Sequence, residues 1–424
     1  MTRGTFAAAL ALAVLLLAPA RASTGRVPSY SFRDLGTLGG SVTAAADVNA
    51  YGQVAGVSMT TDGFLHAFLW SKGKMTDLGT LGGQSSYATA LNDSGTVVGY
   101  SQLVGKPGSH AFVWRKGTGM RDLGTLGGSQ SFANDVNDGG VVVGRAFDPS
   151  DTPRGFVWRP TTGMKKLEGD PFSVATAVGA RADGPIGGSA GVELDPGTWA
   201  GTGAPFRPLP LLAPYESGEV HAVDVRGDVV GAMTALGGSA PGTRAFFYDS
   251  HRMRALGALG SLTQSEAYSI SNSLRIVGIA YTDVFESTVG WVARSPTAPL
   301  RPLGDLGGRP GWALSGAASI NDLGQIVGTG FHNGRTRGFL LTPDRKERAA
   351  SLRAFASGGR LFHARVSRTL ARALVTISRH KSRACASLRK LAKAAERERT
   401  LTQPARRIFA ADVRAFAAGL SCGR

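Results

Sequence analysis

Between residues 30 and 343 the apolar positions do not follow a helical three-to-four rhythm. They form short alternating or continuous runs of β-branched and aromatic residues, each broken by glycine or a polar turn. "HAFLW" at 66–70 and "KMTDLG" at 74–79 meet across a tight Ser71-Lys72-Gly73 connection, and together they predict a hairpin. "YATAL" at 87–91 and "TVVGYS" at 96–101 flank Asn92-Asp93-Ser94-Gly95, whose glycine suits the left-handed position of a short hairpin loop. The pattern predicts four strands in succession.

The pattern repeats. The Leu of "DLG" recurs at Leu35, Leu78, Leu123, Leu167, Leu209, Leu256 and Leu303. A turn followed by a glycine ends at Gly56, Gly99, Gly144, Gly188, Gly231, Gly278 and Gly328. The "HAFLW" run returns as "HAFVW", "RGFVW", a degraded form near Trp199, "RAFFY", "VGWVA" and "RGFLL". Seven units of about 44 residues, four strands each, have the period of propeller blades. Packed β-sandwiches or an open β-solenoid are the alternatives. Small residues are needed where blades crowd the axis, so the recurring glycine is assigned to an inner strand. The "LGG" after "DLG" predicts a sharp turn with positive φ.

The two ends of the body complement each other. It opens on "SYSFRDLG", a fourth strand without its partner, and closes on "RGFLLTPD", a third strand without its own. Joining them in one blade shuts the ring and removes the exposed edges. The fold predicted is an all-β, seven-bladed β-propeller over 23–343, followed by a small α-helical C-terminal domain over 344–424.

The "DLGTLGG … ALNDSGTVVG … HAFLW" pattern resembles the HAF-repeat family of probable bacterial extracellular repeat proteins, over about residues 30–343. The resemblance is close in units one to three, recognisable in six and seven, and poor in four and five. It implies secretion and repetition, and carries no catalytic residues to transfer.

Composition bears on the candidate chemistry. Asp34, Asp77 and Asp122 of the repeated phrase are replaced in later units by Lys166, Pro208, Ala255 and Pro302, so the phrase reads as a structural joint. His66 and His110 correspond to Arg154, Arg244, Val289 and Arg337 elsewhere. Copies one blade apart cannot share a metal at ~2 Å, so no metal is expected there. The Asn-Asp pairs at 92–93, 137–138 and 321–322 lack the closing Glu of a calcium loop, and turn chemistry accounts for them. Units four to six depart most from the repeat, and irregular loops on a regular scaffold are where binding concentrates. There Glu216, Glu219, His221 and Asp224 fall within nine residues and form the one candidate acid/base group; drift of a degenerate repeat explains the same residues. No cofactor motif or hydrolase elbow is present.

The termini differ from the body. Residues 1–22 carry one Arg, an apolar run from Phe6 to Ala18 and the small-x-small Ala20-Arg21-Ala22, the layout of a secretory signal peptide. Residues 23–343 hold 25 basic and 25 acidic residues, whereas 344–424 hold 20 and 5. That basic tail places Leu361, Val366, Leu370, Leu374 and Ile377 at helical spacing, then Cys385, Leu388 and Leu391, then Ile408, Phe409, Val413, Phe416 and Leu420. Three short amphipathic helices are predicted, stapled by a Cys385–Cys422 bridge suited to an exported chain.

The resulting expectation is a monomeric, secreted or surface-associated protein, with the periplasm as an alternative. It would act as a non-catalytic binding or scaffold module with no cofactor. Two rivals stand beside it: an enzyme on an extracellular polymer at one mouth of the ring, or a propeller anchored by its tail. Outside the cell the tail's partners would be acidic glycans or other anionic polymers, and nucleic acid is not expected as the main one. An Arg-rich solvated surface with no partner explains the tail's charge equally well.

Overall fold

The structure is a computed structural model and describes residues 30–169, 172–180, 184–201, 203–235, 242–283, 287–357, 381–397, 403–420 and 422. The proposed signal peptide, and the tail stretch from Leu361 to Ile377, lie outside the described residues. No described helix is long and apolar enough to cross a membrane.

Seven antiparallel sheets of four strands each form the body. Blades one to six span Gly39–Asp77, Gly82–Asp122, Ser131–Lys166, Val174–Pro208, Ser217–Ala255 and Gln264–Pro302. Blade seven takes three strands from Trp312–Pro343 and its outermost from Tyr30–Asp34. That strand pairs with Arg335–Pro343 in the register Phe32↔Leu341, so the complementary ends close the ring. In each blade the first strand is innermost, and first strands contact one another in sequence around the axis, the last touching the first.

The recurring glycine lies on the second strand, an inner strand facing the innermost one. A Cβ at Gly99 would collide with the Tyr87 carbonyl oxygen, and one at Gly144 with that of Phe132; the other five repeat the geometry. Six of these glycines also stand directly across from, or pair in register with, the ring of the third strand, as Gly56 does with Phe68. Blade four is the exception: Gly188 pairs with Gly197, and Trp199 reaches across from two residues away. The seven rings, Phe68, Phe112, Phe156, Trp199, Phe246, Trp291 and Phe339, are all fully buried. Each contributes about 1.5–3 kcal/mol by its burial. The glycine makes room for the ring, and the ring is the constant of the blade core.

After blade seven come helices Arg345–Ser357, Lys381–Glu396 and Gln403–Gly419. Leu352, Phe355, Leu388, Leu391, Phe409, Val413 and Phe416 join one core that also includes Ala50 and Leu323 from turns of blades one and seven, with Val225 of blade five packed against it. The helices therefore sit as a cap on the mouth of the ring that carries the first-to-second-strand turns. Cys385 and Cys422 are bonded, with Cα atoms 5.5 Å apart, joining two parts of the cap to each other.

Candidate functional site: the axial channel

Each innermost strand carries a β-bulge at the same register, directly after the residue paired with the recurring glycine. The bulged residues are Ala46, Thr89, Asn134, Thr176, His221, Tyr268 and Ala318, and all seven line a cavity of about 340 Å³ on the axis. A bulge frees a side chain from the ladder and re-aims it. Thr89 donates to the Ala133 carbonyl and Asn134 to that of Ala175, each at 2.9 Å. Thr176 bonds the Val220 carbonyl, and His221 Nδ1 the Ala267 carbonyl at 2.9 Å. Four consecutive blades are thus pinned to the next by the bulged side chain. Because a carbonyl can only accept, Nδ1 of His221 carries a hydrogen.

At the capped mouth the turns form a second ring of bonds. Asn49 Nδ2 donates to the Asn92 carbonyl at 3.0 Å, Asn92 to that of Asn137 at 3.0 Å, and Asn321 to that of Asn49 at 2.8 Å. The neighbouring position acts in the opposite sense. Asp93 accepts from the Ala50 amide and Asp138 from the Asp93 amide, both at 2.9 Å. The Asn-Asp pairs are therefore rivets between blades. Burial together with the Asp138 charge pushes the Asp93 carboxyl up to about 7.

The half of the channel beyond the bulges and away from the cap gathers the remaining chemistry. Glu219 and Glu266 hold the same repeat position on adjacent blades, two residues before His221 and Tyr268. Glu219 Oε2 lies 3.5 Å from His221 Nε2. The histidine holds the Glu219 carboxyl below its usual range; burial pulls the His221 pKa down, but its bond and attraction to Glu219 outweigh that and leave it raised. Glu266 accepts both the Tyr268 hydroxyl at 2.9 Å and the Tyr281 hydroxyl at 2.7 Å. Burial and the Glu266 charge push both tyrosines up. Tyr87 stacks on Tyr100 with centroids 4.9 Å apart, and Phe132 meets Tyr100 edge-on at 5.0 Å. Arg145 lies over the Phe132 ring at 5.1 Å, and its Nε is buried without a hydrogen-bond partner.

The residues singled out from the sequence are thus dispersed. Glu219 and His221 come together in the channel. Glu216 is exposed before the strand begins, and Asp224 is buried in the turn at the capped mouth, paired with Arg226. His66 pairs with Asp77 and His110 with Asp122, each at 2.9 Å, and Arg337, in the corresponding place, pairs with Asp34 at 3.2 Å. The Asp of the repeated phrase thus has a partner on the third strand wherever it is kept. Among the described residues no group of three or more His, Cys, Asp or Glu side chains is arranged to hold a metal ion. Sequence reasoning missed Glu266, Tyr268, Tyr281, Arg145 and the cap residue Asp412. Reading the repeats in columns finds the first two, because Glu266 and Tyr268 lie 47 residues beyond Glu219 and His221.

No family model and no curated protein sequence matches the chain. Among solved structures, the β-propeller domain of the Trilobed protease from Pyrococcus furiosus, described as having an open velcro topology, is similar with a TM-score of 0.50 at 11% identity. The match covers 71% of this chain and 95% of that one. YCF48 bound to D1 peptide gives 0.45 at 11% identity, over 78% and 100% of the two chains. A gluconolactonase from Xanthomonas campestris gives 0.36 at 11% identity, over 77% and 98%. At this identity the first likeness shows the propeller fold alone.

Proposed function

We propose that the protein is a non-catalytic extracellular binding module of the HAF-repeat kind, and that it takes a segment of glycan in the half of its axial channel away from the cap. The observation that carries this reading is the placing of Glu219–His221 and Glu266–Tyr268 at one level on blades five and six, with Tyr87 and Phe132 of the Tyr87–Tyr100–Phe132 aromatic group at the same repeat position on blades two and three. Carboxylates accept paired sugar hydroxyls, and aromatic faces take the C–H faces of the ring; such a few polar groups in an apolar wall fix a ligand's orientation. The loops around this mouth support the same face. Of the exposed large hydrophobic side chains among the described residues, Phe64, Val104, Phe172, Val192, Leu194 and Leu212 all lie in its loops, and the remaining one, Tyr51, lies beside the cap.

A glycan array probed with the full chain, alongside Glu266→Gln and Tyr268→Ala, tests it. The expected result is a defined set of bound glycans, with at least tenfold weaker binding by both variants at unchanged melting temperature. Equal binding by wild type and variants, or none by wild type, overturns it.

The cap favours a second role. Arg389, Lys390, Lys393, Arg397 and Arg407 are exposed there, against Glu396 as the exposed carboxylate among the described residues of the three cap helices. This basic surface supports attachment to an anionic extracellular polymer with the other mouth directed away from it. Attachment of that kind weakens steeply with salt, which a binding assay at two ionic strengths reads directly.

A further inference from the structure

We propose that the helical cap is a proton-dependent lid on the axial channel: Asp412 of the cap is held against Asp322 at the mouth by one proton shared between their carboxyls, and loss of that proton releases the helix.

Helix Gln403–Gly419 contributes two side chains to the wall of the axial cavity, Ile408 and Asp412. Their four-residue spacing puts them on one face of the helix, above the ring of turns. Asp412 is 1% exposed. Its carboxyl meets that of Asp322, whose oxygens also accept the Asn272 backbone amide at 2.5 Å and its side-chain amide at 2.7 Å. The Asp412 Oδ2 is buried with no hydrogen-bond partner. Across the mouth stand Asp93 of blade two and Asp138 of blade three, and both oppose a charge on Asp412.

Among the described residues, the cations that face or flank these carboxyls are committed elsewhere, and Arg348 of the cap lies over the Phe416 ring. Arg226, the guanidinium facing Asp322, is paired with Asp224 and Asp228. Arg414, two residues beyond Asp412 on the helix, bonds Glu396 and Tyr51. Arg275 and Arg294 both engage Glu347. Two carboxyls in contact in such a place cannot both ionise. Burial and these neighbouring carboxylates raise the Asp412 pKa well above its ordinary value.

The linkage has a definite sign. Freed into water, Asp412 loses its proton near pH ~4. In the docked cap it keeps the proton to higher pH, so docking takes up one proton. Across that interval each pH unit weakens docking about tenfold, and below it docking is at its strongest. The apolar contacts of Ala50, Leu323 and Val225 with the cap resist release and do not change with pH. The Cys385–Cys422 bond lies wholly within the cap, so it does not tether the lid to a blade. Opening uncovers the cavity of about 340 Å³ from the side opposite the glycan mouth.

Hydrogen exchange by mass spectrometry on the full chain from pH 5.5 to 8.5, corrected for the intrinsic pH dependence of exchange, tests the lid. Peptides within Gln403–Gly419 are compared with those from blade-one strand Val54–Thr60 as internal reference. In the wild type, protection of the cap helix should fall with rising pH, by up to about tenfold per unit, while the reference holds steady. Asp412→Asn, neutral throughout, should keep its cap protection level across the range, and Asp322→Asn should flatten the profile as well. A flat wild-type profile, or variants that lose protection in step with it, overturns the lid. Should either variant fail to fold, the wild-type profile alone decides.

Discussion

His221 donates its Nδ1 hydrogen to the carbonyl oxygen of Ala267 in the next blade, where Thr89 and Asn134 donate to Ala133 and Ala175. The histidine thus has a structural role, shared with its repeat counterparts, and a chemical one through Nε2. Substitution separates them. His221→Thr should keep stability within about 0.5 kcal/mol, because the hydroxyl can take over the pin, while His221→Ala should cost about 1 kcal/mol. Both should lose glycan binding to a similar degree. Urea unfolding and a binding titration on the same samples check this.

Gly99 faces the innermost strand so closely that an added methyl would overlap the Tyr87 carbonyl, and the Ala88 backbone lies immediately beyond. Backbone on both counts cannot yield as a flexible side chain does. Gly99→Ala should destabilise by about 2–4 kcal/mol. Gly63→Ala, at φ +85° but with nothing near the new methyl, should cost only about 1 kcal/mol for backbone strain. Thermal melts of the two variants give the comparison.

Asn92 is both the centre of its own turn and a bridge to the next blade. Its Oδ1 accepts the Ser94 and Thr96 amides at 3.1 and 3.0 Å while Nδ2 reaches the Asn137 carbonyl at 3.0 Å. Asn92→Ala strands all three partners and should cost about 2–3 kcal/mol. Asn92→Asp keeps the turn but loses the donor, so it should fall between the wild type and the Ala variant. Denaturant midpoints order the three.

Two further buried carboxyls tie stability to pH. Burial raises Asp135 to about 6, and burial with the Asp138 charge raises Asp93 to about 7. Each is raised above its unfolded value, so folding binds protons in this range. That contribution is complete below pH ~4 and is lost as pH rises toward 7. The urea midpoint should therefore fall between pH 5 and 7.5, and Asp93→Asn should flatten the decline.

The blade count and its closure were legible because each rests on a repeated local pattern. A four-strand unit seen seven times is hard to mistake, and the unpartnered "SYSFRDLG" and "RGFLLTPD" point to each other. The site was less legible. Glu216, Glu219, His221 and Asp224 lie together in sequence, but a strand rises about 3.3 Å per residue. The span from 216 to 224 therefore separates an exposed loop from the opposite mouth. What converges on the axis comes from equal positions in different units, where proximity is set by rotation about the ring. The tail's apolar stripe was read correctly for Phe409, Val413, Phe416 and Leu420, all buried in the cap. Asp412 broke that stripe without looking like chemistry, because its partner Asp322 stands 90 positions earlier.

Blade seven is assembled from the first described strand and the last, Tyr30–Asp34 against Arg335–Pro343. A polypeptide emerging amino-end first, from a ribosome or through a narrow pore, must hold that opening segment unpaired while more than three hundred residues follow. The toroid cannot latch until Pro343 is out, so ring closure is a very long-range encounter, slow by its topology. Chaperones or proteases acting during that wait would meet an incomplete circle with two sticky rims, and a stall in emergence would be most damaging just short of the finish.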